Sequence, residues 1–268
     1  MDEHKAEGHP AAAAHHGSIW PFIIGIGGCV GYAGLVMDLR ILGLGIVLFV
    51  SGTLGWLRDD LRSPSRMDFG THVARPSEVR VSARKLAVWM FLATEIMFFS
   101  AIIGVSWSLR VRTGNWATPG QGPLNVPLTG LNTFILICSS LTMVEALAAI
   151  ERGNQKQLKV FITATFLLGV TFLSIQGFEY VKLFFEEGLR FTAAPDGINP
   201  LFGSTFYIQT GVHGSHVFGG VLAMGYATLK SFRGGFTKEN HEAVELIGLY
   251  WHFVDVVWIF LFTIVYLI

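Results

Sequence analysis

The chain has 268 residues, of which 51% are hydrophobic and only 14% charged, against about 25% charged in a typical soluble domain. Its formal net charge is zero, so no overall field draws it to nucleic acid. Two cysteines, Cys29 and Cys138, both stand in apolar stretches; they exclude a disulfide scaffold or a cysteine-rich metal centre and read as small buried hydrophobes.

Residues 1–18 are polar and rich in Ala and His and read as a disordered tail, whose His4, His9, His15 and His16 offer at most adventitious metal binding. The tail has no apolar core or cleavage pattern of a signal peptide. Seven apolar stretches follow, at 19–37, 41–57, 86–109, 128–150, 158–185, 205–229 and 244–268, each long enough to cross a hydrocarbon core of about 30 Å. Asp38-Leu39-Arg40 alone joins the first two, which makes them an antiparallel hairpin. Both are rich in glycine, and Gly27 with Gly31 has the small-xxx-small spacing of close helix packing. The fold expected is all-α and polytopic: a hairpin at 19–57, a basic connection at 58–85 with Pro64 and Pro76, and a five-helix bundle at 86–268. Connections between bundle helices, rich in Gly, Pro and Asn, read as ordered loops.

Basic residues alternate sharply between the two sides. Lys5, the seven Lys and Arg of 58–85, and those at the fourth and sixth connections give fourteen on one side; Arg40, Arg110, Arg112, Lys182 and Arg190 give five on the other. By the positive-inside rule the N-terminus is in the cytoplasm (or mitochondrial matrix) and the C-terminus outside.

Seven ionisable residues fall inside these spans: Glu95, Glu145, Glu179, His213, His216, His252 and Asp255. A carboxylate at mid-membrane costs about 2.5–3.5 kcal/mol or more, so each needs a partner. At 1.5 Å per residue, Glu95, His216 and His252 lie roughly 12–14 Å from the inner face, with His213 and Asp255 about a turn nearer the middle. Glu145 and Glu179 fall near span ends, within reach of water or headgroups. His213-x-x-His216 and His252-x-x-Asp255 each place two groups on one helix face. Three readings are open: a metal or haem site, a proton or ion path entered and left through Glu145 and Glu179, and a structural set of carboxyl and imidazole groups that neutralise one another across helices.

Several motifs together resemble a known family. Gly203-Ser204-Thr205-Phe206-Tyr207, Thr210-Gly211-Val212-His213-Gly214-Ser215-His216-Val217 and Tyr250-Trp251-His252-Phe253-Val254-Asp255-Val256-Val257-Trp258 resemble the C-terminal half of subunit III of haem–copper terminal oxidases. Thr94-Glu95-Ile96-Met97-Phe98-Phe99 resembles the family's third-helix motif with its embedded glutamate, and Glu179-Tyr180 the end of its fifth helix. Trp20-Pro21 and Trp56-Leu57-Arg58-Asp59 resemble its N-terminal helix pair.

The resemblance implies a seven-helix subunit that binds no haem or copper itself and has no catalytic residue or metal site. Haem and copper belong to partner subunits. Subunit I is the direct partner and subunit II belongs to the same complex. A cleft between the hairpin and the bundle is expected to hold structural phospholipid, and headgroup contacts are assigned to Trp56, Arg58, His72 and Arg233. Glu95, His213, His216, His252 and Asp255 are then a buried polar cluster that supports the bundle. The implied function is support of proton uptake and active-site stability in a proton-pumping cytochrome c oxidase of the aa3 or caa3 type, in a bacterial cytoplasmic membrane. The presence of the first two helices favours this over a quinol oxidase. An independent metalloenzyme and an autonomous transporter are the alternatives from other classes.

Overall fold

Local signals fix where the helices begin. Proline stands in the first turn of three of them, where its missing N–H is harmless. Ser82, Asn125, Asn154 and Asn199 each turn a side-chain oxygen onto a free backbone N–H of the first turn. The computed structural model, which describes residues 19–62, 82–117 and 122–268, contains seven helices: α1 (Trp20–Met37), α2 (Leu39–Arg62), α3 (Ala83–Thr113), α4 (Val126–Glu151), α5 (Gln155–Phe185), α6 (Pro200–Phe232) and α7 (Glu242–Phe262). A π-helical turn, Thr263–Leu267, extends α7. The tail at 1–18, His72 and most of the basic connection lie outside the described residues.

The all-α, polytopic expectation holds: no named element among the described residues is a strand, and five helices are long and apolar enough to cross a membrane. The two others depart from seven uniform spans for separate reasons. α1 is apolar throughout but spans only 18 residues, Trp20–Met37. Through α6 run Gln209, Thr210, His213, Thr228, Lys230 and Ser231, which lower its average apolarity although all of them are buried inside the protein.

The described residues fall into two compact units, one within 1–74 and the other within 75–268. In the first, Asp38 breaks the helix in an extended conformation, and its Oδ1 accepts the Arg40 N–H at 2.7 Å. α1 and α2 then run antiparallel at backbone contact. A Cβ at Gly45 would stand 2.2 Å from the Gly31 nitrogen, and one at Gly27 2.4 Å from that of Phe49, so only glycine fits. At the other end of the hairpin the Trp20 indole donates to Asp59 Oδ2 at 2.6 Å.

In the second unit α4 and α5 form a tight hairpin whose turn uses Gly153 at φ +75°, a conformation that favours glycine. α6 and α7 complete the core with Val217, Met224, Trp251, Val254 and Trp258, against Leu136 and Met143 of α4 and Ile162 and Phe172 of α5. Trp251 is fully buried: its ring is 2.9 Å from where a Gly169 Cβ would be and 2.8 Å from that of Gly220, and its N–H donates to Ser139 Oγ at 2.9 Å. α3 contributes Phe99 and Ser106 to the buried set. Polar contacts fasten its N-terminal end to α7: Ser82 and Arg84 to Glu242, the latter at 3.1 Å, and Lys85 to Glu245.

Candidate functional site: a polar level inside the bundle

Glu95 comes from α3 and His216 from α6. The structure joins them, His216 Nε2 to Glu95 Oε2 at 3.0 Å, with the side chains 18% and 17% exposed. The other ring nitrogen, Nδ1, lies 2.8 Å from the Val212 carbonyl one turn earlier. A carbonyl only accepts, so Nδ1 carries a proton. One further proton is shared between Nε2 and the carboxyl oxygen. With it on Glu95, acid donates to neutral imidazole; with it on His216, imidazolium donates to carboxylate. The pair has zero net charge in both forms, and this removes most of the cost of a lone charge at this depth.

Aromatic rings flank His216. Phe99 stands edge-on to His216 at 5.0 Å and Phe253 meets Phe99 at 6.3 Å. The Tyr250 hydroxyl donates to the His216 carbonyl at 3.0 Å, which ties α7 to the same point of α6.

The other three predicted residues go elsewhere. His252 turns to α4, its Nδ1 2.6 Å from Ser140 Oγ. His213 is 1% exposed; its Nε2 donates to the Val254 carbonyl at 3.2 Å, and its ring lies 4.8 Å from Trp258. Asp255 is 4% exposed, and its carboxyl group faces Ser140, the hydroxyl that His252 also meets. The five residues therefore occupy neighbouring levels in the bundle without forming one contact set. At about 100° per residue a three-residue step leaves two side chains only roughly 60° apart, and His252 and Asp255 accordingly both face Ser140 of α4.

Glu179 corrects the expectation that it reaches water or headgroups. It is 3% exposed, 2.9 Å from Thr129 Oγ1 and 3.4 Å from the Tyr266 hydroxyl. The π-helical turn carries Tyr266 over it. Glu145 stands near the C-terminal end of α4, half exposed and 3.7 Å from Arg152. Trp56 and Arg58 are exposed on α2 and Arg233 is exposed at the end of α6. Among the described residues no three His, Cys, Asp or Glu side chains come together as a metal site would require.

Neutral polar residues were missed by a reading restricted to ionisable groups. Thr129, Asn132, Thr133, Ser139 and Ser140 recur on one face of α4 at helical spacing. They meet Glu179, the Phe172 carbonyl, the Trp258 indole, the Trp251 indole and His252 respectively. Thr142 and Thr165 join α4 to α5 at 2.8 Å. That periodicity is visible in the sequence once hydroxyl and amide residues are counted.

The family described as cytochrome c oxidase subunit III matches residues 15–268. Among similar proteins named cytochrome c oxidase subunit 3, that of Tetraodon nigroviridis is 33% identical over 96% of this chain and 98% of its own length. The one from Corynebacterium diphtheriae is 35% identical over 78% of this chain and 96% of its own. The one from Arabidopsis thaliana is 33% identical over 93% of each. An all-helical membrane fold with Glu95 paired to His216, matched along nearly its whole length, places this chain in the cytochrome c oxidase subunit III family.

Proposed function

We propose that the chain is the non-catalytic subunit III of an aa3- or caa3-type cytochrome c oxidase in a bacterial cytoplasmic membrane, with its N-terminus cytoplasmic and its C-terminus outside. It packs directly on subunit I, in a complex that includes subunit II. It supports proton uptake and the stability of the active site while the complex reduces dioxygen and pumps protons. Haem and copper reside in the partners, and this chain binds phospholipid, with Trp56, Arg58, His72 and Arg233 contacting headgroups. The charge asymmetry supports the orientation, and the basic connection supports phospholipid binding.

The observation that carries the reading is the Glu95–His216 pair, 3.0 Å apart and neutral as a unit, within a chain matched to the family over residues 15–268. Its groups are spent on each other and on the backbone, as a supporting element requires. The test compares the intact oxidase with a complex assembled without this chain. Loss of the chain is expected to leave the haem spectrum unchanged while activity decays faster during sustained turnover. Equal decay in the two preparations contradicts the supporting role. Proton flux through vesicles holding the chain alone would favour an autonomous transporter.

A further inference from the structure

Near the outer ends of α3 and α6, beneath the π-helical turn, lies a cavity of about 10 Å³, room for the centre of one water molecule. Its polar lining is Ser106 and Arg110 from α3 and Thr205 and Gln209 from α6, with Trp116 and Val265 among its apolar walls. Gln209 is 1% exposed, and its Oε1 has no hydrogen-bond partner among the described residues. Leaving a buried amide oxygen unmatched costs about 1–3 kcal/mol, so the site calls for a donor.

We infer that this cavity is a binding site for one ordered water that donates to Gln209 Oε1 and joins α3 to α6. Size excludes a headgroup or an acyl chain. The Arg110 guanidinium disfavours a cation and offers N–H groups to the water oxygen; five such donors are available and one contact, to the Ile268 carbonyl, is already made. The Thr205 hydroxyl proton is directed to the carbonyls of Leu201 and Phe202, at 2.9 and 3.0 Å, which leaves its lone pairs free to accept the second water proton. The water thus has the two to four polar partners that such sites provide. In a membrane, where apolar packing gives no hydrophobic advantage between helices, the bridge fastens an end of α3 that buries few of its own side chains. The inference rests on the bundle alone and is independent of the oxidase assignment.

The test is a density map of the purified, membrane-derived assembly at a resolution that shows ordered waters. One compact peak within hydrogen-bond distance of Gln209 Oε1 is expected, and it should vanish in Gln209→Met. No peak in the native protein, or elongated density of lipid or detergent, overturns the site. A thermal cycle adds a second measure. Ser106→Val, which fills the cavity, should lower the melting temperature in the native background but not in Gln209→Met, where no oxygen is left unmatched. Equal shifts in both backgrounds contradict the water bridge.

Discussion

At the scale of single residues, the Glu95–His216 contact decides how its members respond to change. Glu95→Gln keeps a neutral donor for Nε2 and should cost less than about 1 kcal/mol, whereas Glu95→Ala leaves the imidazole nitrogen half-buried and unmatched at about 1–3 kcal/mol. Thermal release of the chain from its assembly should therefore fall in the order native, Gln, Ala; equal losses for both variants would mean that the hydrogen bond does not matter. Accessibility separates the buried carboxyl groups from one another. Glu95 is 17% exposed, against 3% for Glu179 and 4% for Asp255. A membrane-soluble carbodiimide should modify Glu95 ahead of both, as peptide mapping would show, and preferential labelling of Asp255 would contradict this geometry. Trp251 is the sharpest packing test. Trp251→Phe loses the bond to Ser139, about 1 kcal/mol, while Trp251→Ala also opens a cavity and should cost about 3–5 kcal/mol, read from chemical or thermal unfolding in detergent.

At the scale of helices, α1–α2 and α3 show two ways of holding apolar elements together. The hairpin relies on backbone contact. Gly45→Val puts side-chain atoms into the Gly31 backbone, where even a Cβ would lie 2.2 Å from nitrogen, and overpacking of this kind costs about 1–3 kcal/mol. Crosslinking between cysteines placed on facing positions of α1 and α2 should fall sharply in that variant and persist in Gly43→Val, since nothing lies within 4 Å of a Cβ at Gly43. α3 instead depends on polar contacts at successive heights: Arg84 and Lys85 to α7, and Glu95 to α6. Partly exposed ion pairs contribute at most about 1 kcal/mol each, so the mid-membrane contact dominates. The helices and their order were legible in the sequence because apolar runs, Asn caps and Pro starts agree with one another. The Glu95–His216 partnership was legible only as a common depth. Depth along a helix says nothing about azimuth, and for that reason His252 could not be assigned to Ser140 from its position, nor Glu179 to a buried site beneath Tyr266. Both depend on a turn or a neighbouring helix that no local pattern specifies.

At the scale of the molecule, the second unit reads as a scaffold. Its interior is filled by aromatic rings and hydroxyl-to-indole bonds that join α4 to α7, and its buried ionisable groups face one another, the backbone or side-chain hydroxyls. This arrangement suits a subunit that holds its shape beside a reaction carried out in another chain. The central claim is that the chain belongs to a haem-bearing oxidase and carries no redox centre of its own. The most direct measurement is affinity isolation of the tagged chain from native membranes in mild detergent, followed by a visible spectrum before and after partner subunits are stripped away. The account predicts stoichiometric recovery with haem-bearing partners and a colourless, iron-free chain once they are removed. Recovery of the chain alone, or iron and colour that stay with it after stripping, would contradict it.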